Sequence, residues 1–137
     1  MTTLPGLFVA DQDSIMIPKI PNLHDSLLWR IENLEPSDAK IHFRTTEGEI
    51  YEMTLLEVKR LKCDNFLQGN IVLGLYVIDS ERKAEFLLKW ILDEDPSDYS
   101  RRLVQEICEG SLCMIHITPS YGCEIACVCR SFDFRKV

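Results

Sequence analysis

Apolar and polar residues alternate along the first half of the chain in the pattern of half-buried strands. The first such stretch places Leu27, Trp29 and Ile31 on one face. A later run, residues 71–78, is instead apolar throughout except at Gly74. Continuous apolar strands are typical of sheets that are covered on both faces, so we predict a fully buried strand there.

A β-hairpin is predicted around the turn at Gly48. Ile41 and Phe43 alternate with polar residues before this turn, and Tyr51 and Met53 do so after it. A three-residue loop with a left-handed glycine sets Phe43 opposite Tyr51. It also sets Ile41 opposite Met53, which keeps one face of the hairpin apolar. We therefore predict this register.

Capping patterns predict helices in the middle of the chain. Thr54 and Glu57 match a capping box, which opens a short helix through about Cys63. Ser80 caps a second helix. Its apolar stripe consists of Ala84, Leu87, Leu88 and Ile91, widened by Phe86 and Trp90.

A third helix is predicted between Asp95 and Gly110. Asp95 serves as the N-cap, Pro96 takes the first helical position, and Gly110 ends the helix. The chain then finishes as a second hairpin, formed by residues 112–118 and 123–134 around a turn at 119–122.

The predicted order of elements is β-β-β-α-β-α-α-β-β, in which hairpins dominate. This order favours an α+β domain with a largely antiparallel sheet of about five strands and two to three helices on one face. Residues 24–137 form this single domain. Residues 1–23 contain three prolines, which disfavour helix and central strand, so this part is predicted to be an irregular or extended segment packed on the domain. The terminal strand with Phe132 and Phe134 is the expected sheet edge, through which a homodimer could form.

Composition narrows the class of protein. The chain has 137 residues, 46% of them hydrophobic and 27% charged, as in an ordinary globular protein. It shows no apolar run long enough to span a membrane and no secretory signal pattern. Six cysteines without such a signal indicate reduced thiols and a cytoplasmic location. The formal net charge of −7 argues against direct nucleic-acid binding and suits a basic protein partner.

Diagnostic catalytic motifs are missing from the sequence: it contains no G-x-G-x-x-G, Walker A, G-x-S-x-G, H-E-x-x-H or C-x-x-C pattern. The first functional hypothesis is therefore a non-enzymatic protein-binding module, an acidic inhibitor, an immunity-type protein or an adaptor, without a cofactor. Tyr121 at a hairpin tip is a candidate aromatic anchor. The candidate acidic contacts are Glu47, Glu49, Glu52, Asp93, Glu94, Asp95 and Asp98.

The alternative hypothesis is a small metal or ligand site on the terminal hairpin. If Thr118 pairs with Cys123, then His116 has Cys123 and Cys127 as diagonal neighbours on one face of the sheet. Imidazole and thiolate groups are zinc ligands, so this corner could hold zinc. A nucleophilic Cys–His pair could use the same residues. Against both, unligated cysteine commonly packs as a small apolar core residue, and we expect most of these thiols to do so.

Overall fold

Six antiparallel strands form a closed barrel in the computed structural model, which describes residues 18–137. The strands are β1 (Leu27–Leu34), β2 (Asp38–Arg44), β3 (Ile50–Asp64), β4 (Asn70–Val77), β5 (Cys113–Tyr121) and β6 (Glu124–Lys136). The helices α1 (Glu81–Leu92) and α2 (Asp98–Glu109) lie between β4 and β5 in the chain. Around the barrel the order is β1-β2-β3-β6-β5-β4. The predicted α+β class with a largely antiparallel sheet is confirmed, but the sheet is larger than predicted and closes on itself.

Two apolar clusters hold the fold together. The first fills the barrel, with Phe43, Met53 and Ile117 among its fully buried members. The second lies outside the barrel, where both helices pack on Met114 and Val128. Because β5 and β6 have the barrel core on one face and the helices on the other, they are the strands covered on both sides.

The prediction of a strand covered on both faces was therefore wrong for β4. Val72 points into the barrel and is buried, but Ile71 and Leu73 on either side of it are exposed. A continuous apolar run does not show which strand the helices will cover, since that depends on where the chain leads afterwards.

The first hairpin forms in the predicted register. Phe43 lies opposite Tyr51 and Ile41 lies opposite Met53, and Gly48 takes a left-handed φ of 85°. In β1, however, the expected face is wrong. The register shifts between Leu28 and Arg30, so Leu28 is the residue buried in the barrel and Trp29 points outward.

The helix predicted from Thr54 to Cys63 does not form, because these residues continue β3. This long strand pairs with β2 at its start and with β6 along most of its length. Glu57 adopts a left-handed φ of 49°, and its N–H donates to Asp38 Oδ1 at 3.0 Å. Pairing on both sides satisfies more backbone groups than a short exposed helix would, so it overrides the local capping signal.

The other two predicted helices form, with one boundary corrected. Ser80 caps α1 by accepting from Lys83 N–H, and Gly110 ends α2 with a φ of 87°. The N-cap of α2 is Ser97 rather than Asp95. Ser97 and Ser100 cap each other reciprocally, and this pairing places the start of the helix two residues later than predicted. Neither helix among residues 18–137 is long and apolar enough to cross a membrane.

Strand β6 is not a sheet edge, contrary to the prediction. It lies between β3 and β5, and Phe132 is buried in the barrel. Because β6 is paired on both sides, it has no free row of backbone groups through which a second copy could pair to form a dimer. The prediction for residues 1–17 lies outside the described residues; residues 18–23 contain no helix or strand, and Leu23 is buried against the barrel core.

Candidate functional site

The register of the terminal hairpin decides where its chemically active side chains point. Cys113 lies opposite Cys129, and Ile115 lies opposite Cys127. This register differs by one residue from the predicted pairing of Thr118 with Cys123. The cause is β5, which continues through Pro119 to Tyr121 in its pairing with β4, so the turn to β6 is shorter than the sequence suggested.

A shift of one residue moves His116 to the opposite face of the sheet. His116 lies opposite Ala126 on the outer face, whereas Cys123 and Cys127 belong to the apolar cluster inside the barrel. The structure therefore does not bring the three predicted metal ligands together. Within residues 18–137 there is no group of three or more histidine, cysteine or carboxylate side chains arranged to hold a metal ion. The proposed Cys–His nucleophilic pair loses its shared face for the same reason.

His116 instead pairs with a carboxylate on the outside of the barrel. Its Nε2 lies 2.7 Å from Glu124 Oε2, and Tyr76 is its cross-strand neighbour on β4. The pair is partly exposed, with the side chain of His116 at 19% of its full accessibility. An imidazole held by a carboxylate forms two members of a catalytic triad, and a nucleophile would be needed as the third. Cys123 and Cys127 cannot serve as one because they lie inside the barrel.

Four of the five cysteines that line the barrel core form two close pairs. The Sγ atoms of Cys63 and Cys123 are 2.8 Å apart, and those of Cys113 and Cys129 are 3.6 Å apart. Burial, reinforced by the neighbouring Cys63 thiol, raises the pKa of Cys123. Residues 123, 125, 127 and 129 all lie in the core cluster of the barrel, so most of the thiols pack as apolar core residues, as expected. Cys108 on α2 is exposed and takes no part in either pair.

Two of the three carboxylates in the predicted acidic turn are neutralised within the protein. Glu49 accepts from Lys136 Nζ at 2.6 Å, and this contact raises the pKa of Lys136. Glu52 accepts from Arg135 at 2.7 Å and lies 3.5 Å from Lys40 Nζ. These two side chains brace the hairpin against the end of β6 and are therefore poorly placed to meet a partner.

Sequence reasoning missed a buried histidine beside this turn. His42 is only 5% exposed although it points outward, because Trp29 lies over it with ring centroids 5.3 Å apart. Its Nε2 is 3.3 Å from Glu32 Oε1, and its Nδ1 is 3.7 Å from Glu52 Oε2. Both ring nitrogens thus face carboxylates. Strand alternation correctly put His42 outside, but nothing local signalled that a bulge would turn Trp29 onto it.

We expect Glu52→Gln to flatten the acid dependence of stability. The hydrogen bond from Arg135, with the Lys40 charge, holds the pKa of Glu52 below its ordinary value of 4.5. A carboxyl whose pKa is lower when folded stabilises the protein above its unfolded pKa, and this contribution is lost as the pH falls through the folded pKa. The difference in Tm between wild type and variant should therefore be present at neutral pH and vanish in acid.

Thermal unfolding followed by circular dichroism between about pH 7 and pH 2.5 measures this difference. Glu47→Gln is the matched control, because Glu47 lies on the same hairpin and its side chain, within residues 18–137, hydrogen-bonds only to the hydroxyl of Thr46. Equal pH profiles for Glu52→Gln and wild type would contradict the assignment.

The second predicted acidic group lies in the connection between α1 and α2 and remains exposed. Asp93 takes a left-handed φ of 53° and ends α1, and its N–H donates to Lys89 O. The side chain of Asp95 is 93% exposed and only 3.8 Å from Lys89 Nζ. Asp98 pairs with Arg101 at 2.8 Å at the start of α2, and Glu94 is exposed. This connection retains a surplus of accessible negative charge.

Tyr121 lies in an exposed apolar area where the barrel closes. It is 53% exposed and pairs with Ile71, which in turn pairs with Leu27. The outer faces of β5, β4 and β1 therefore carry apolar residues side by side. Leu73 and Trp29, at 47% and 43% exposure, extend this area along β4 and β1. We call Trp29, Ile71, Leu73 and Tyr121 the seam surface.

The side chain of Asn70 links the segments that close the barrel beneath the seam surface. The ladder between β1 and β4 consists of the pairs Leu27–Ile71 and Leu28–Asn70. Asn70 is 1% exposed, and its amide makes four hydrogen bonds. Nδ2 donates to Leu28 O (3.1 Å) and Leu67 O (2.7 Å), and Oδ1 accepts from Leu67 N–H (2.8 Å) and Cys123 N–H (3.0 Å). One side chain thus joins β1, the β3–β4 loop and the start of β6.

Comparison of the chain with protein-family models, with curated proteins and with solved structures finds no match.

Proposed function

We propose that this chain is a protein-binding module that docks a basic protein partner on the seam surface. The observation that carries the proposal is where the exposed apolar side chains lie. Among residues 18–137, all the exposed large apolar residues except Phe86 and Val137 belong to β1, β4, β5 or the β3–β4 loop. Large apolar side chains collected on one part of a surface are typical of interaction sites, whereas scattered ones are not.

The chemistry of this surface suits a protein partner. Trp29 and Tyr121 combine large apolar area with a polar group, as do the aromatic residues that dominate binding energy at protein interfaces. They are held on strands, and Asn70 fixes the closure beneath them. Binding to such a pre-organised surface loses little conformational entropy. Tyr121 keeps the anchoring role proposed for it, on a broader surface than a hairpin tip.

The charge of the chain favours a basic partner. The formal net charge is −7, and the connection between α1 and α2 presents exposed Asp93, Glu94 and Asp95. Long-range attraction of this kind accelerates encounter with a positively charged protein and adds less to final affinity than apolar contact does. The acidic turn is a weaker candidate for contact than the connection, because Glu49 and Glu52 are paired within the protein. An inhibitor or immunity-type protein would abolish its partner's activity on binding, and an adaptor would leave it intact.

The seam surface is tested by truncating it and comparing what the variants bind. Cross-linked capture from lysate of the source cells should use wild type, Leu73→Ala with Tyr121→Ala, and Phe86→Ala in parallel. Phe86 is the matched control because it is 75% exposed but lies on α1, away from the seam surface. A protein captured by wild type and Phe86→Ala but not by the double variant should then be purified.

Titration calorimetry with the purified partner gives the quantitative result. We expect the double variant to bind about 30-fold or more weakly, which is the effect of losing one strong aromatic anchor, while Phe86→Ala binds like wild type. The association rate should fall as salt rises, and less so after the acidic connection is neutralised by Asp93→Asn, Glu94→Gln and Asp95→Asn. If every captured protein binds the double variant as well as wild type, the seam surface is not the interface.

A further inference from the structure

We propose that Cys63 and Cys123 form a thiol-oxidation site, at which a low-molecular-weight disulfide converts the two thiols into an intramolecular disulfide. The two Sγ atoms are 2.8 Å apart. A disulfide bond is about 2 Å long, so closing it requires the sulfurs to move by less than 1 Å. This proposal is independent of the seam surface and of any partner.

The strand pairing explains why these two thiols meet although 60 residues separate them in sequence. Cys63 lies near the end of β3 opposite Ile125, and Cys123 lies just before β6. The two cysteines are therefore diagonal neighbours on the barrel-facing side of the sheet. Asn70 accepts the N–H of Cys123 at 3.0 Å and so fixes the backbone at this point.

Accessibility distinguishes this pair from the other cysteines. Cys63 is partly exposed, so a small disulfide can reach it. Cys113 and Cys129 also face each other, at 3.6 Å, but they are 5% and 0% exposed. Cys108 is exposed on α2, but none of the sulfur–sulfur contacts of residues 18–137 involves it, so its oxidation stops at a mixed disulfide.

The reaction proceeds by two thiol–disulfide exchanges. The Cys63 thiolate attacks one sulfur of the small disulfide RSSR; the S–S bond of RSSR breaks, and the departing thiolate takes up the proton that Cys63 lost. Cys123, on losing its proton, then attacks Cys63 Sγ and displaces the second RSH. In sum, two protein thiols are oxidised to one disulfide and one RSSR is reduced to two RSH.

The second exchange should limit the rate. Burial, the neighbouring Cys63 thiol and the carboxylates of Asp64 and Glu124 raise the pKa of Cys123. Only a small fraction of Cys123 is then thiolate at neutral pH, and that fraction increases with pH. Closure of the disulfide should therefore be faster in alkaline than in neutral solution.

Digestion with trypsin distinguishes the disulfides that could form, because the cysteines fall in two different peptides. Cys63 is the one cysteine of peptide 63–82, whereas the five other cysteines lie in peptide 103–130. The Cys63–Cys123 bond links these two peptides, and a Cys113–Cys129 bond lies within the second. The purified full chain is incubated with oxidised glutathione, quenched by alkylation, digested without reductant and analysed by mass spectrometry with fragmentation.

We expect the two peptides to be linked through Cys123, at least about tenfold faster at about pH 8.5 than at about pH 6.5. In Cys123→Ser, glutathione should remain on Cys63, and in the matched variant Cys113→Ser the link should form as in wild type. The proposal is overturned if wild type accumulates only the mixed disulfide on Cys63, or if the bond within peptide 103–130 forms first. It is also overturned if Cys63 links to a cysteine other than Cys123.

Discussion

Replacing Asn70 with alanine should lower the free energy of unfolding by about 3–5 kcal/mol, because it removes four hydrogen bonds from a buried site. The side chain joins three segments that are distant in sequence, through Leu28 O, both backbone groups of Leu67, and Cys123 N–H. In the variant Leu28 O and Cys123 N–H stay buried without their partner, and the partly buried backbone groups of Leu67 lose theirs as well. Leaving such groups unpaired costs more than the net value of each hydrogen bond.

Urea unfolding at neutral pH, followed by fluorescence and circular dichroism, measures this loss. Asn33→Ala is the matched control, because Asn33 is exposed on β1 and its truncation should change stability by less than about 0.5 kcal/mol. Asn70→Asp keeps both acceptor contacts but turns a carboxylate oxygen toward the carbonyl oxygens of Leu28 and Leu67, so it should destabilise the protein at least as much as alanine. A loss below about 1 kcal/mol for Asn70→Ala would show that Asn70 does not hold the closure together.

Gly122→Ala should destabilise the protein by about 3 kcal/mol, for two separable reasons. Gly122 has a φ of +85°, which is strained for any residue with a Cβ. A Cβ there would also clash with Asn70 Oδ1 and would lie 3.3 Å from Asn70 Cα. The amide of Asn70 cannot move away without breaking its four hydrogen bonds, so the variant disturbs the same closure.

Gly48→Ala isolates the backbone part of this effect. Gly48 has the same φ of +85°, but nothing lies within 4 Å of a Cβ built on it. It should therefore cost only the left-handed strain, about 1 kcal/mol. Equal losses for the two alanine variants in urea unfolding would rule out a clash at Gly122.

A double-mutant cycle then tests whether Gly122 and Asn70 act together. Once Asn70 is alanine, the oxygen that would meet the new Cβ is gone. The combined loss for Gly122→Ala and Asn70→Ala should therefore be smaller than the sum of the single losses, by about 1–2 kcal/mol. Strict additivity would mean that the two residues stabilise the fold independently.

Features encoded within a few neighbouring residues were predictable from the sequence. The hairpin at Gly48 needed only alternation and a left-handed glycine, and both are local. Ser80 at the start of α1 and Gly110 at the end of α2 are also local signals, because capping satisfies backbone groups of the same helix. That Cys123 and Cys127 share one face of the last strand followed from strand alternation alone.

The failures arose where a distant strand decided the outcome. Thr54 and Glu57 match a capping box, but the same residues suit a strand once β2 and β6 pair on either side of it. Likewise, residues 119–122 look like a four-residue turn, and only pairing with β4 extends β5 to Tyr121. That extension changed the register by one residue and separated His116 from Cys127.

The candidate surface and the thiol pair were beyond sequence reasoning for a related reason. The seam surface exists because β1 meets β4 across two residue pairs, and because the helices cover β5 and β6 instead. Cys63 and Cys123 belonged to a predicted helix and a predicted hairpin, which gave no reason to place them together. Barrel closure determines both features, and closure is a property of the whole chain.

The position of β6 between β3 and β5 also constrains the order of folding. The hairpins β1–β2 and β2–β3 join neighbouring segments and can form early, because short loops close at low entropic cost. The β3–β6 ladder instead runs from the pair Asp64–Glu124 to the pair Tyr51–Lys136, so its partners are distant in sequence. Contacts of this kind slow folding. We therefore expect β6 to join the barrel late in folding, after the first hairpin has formed.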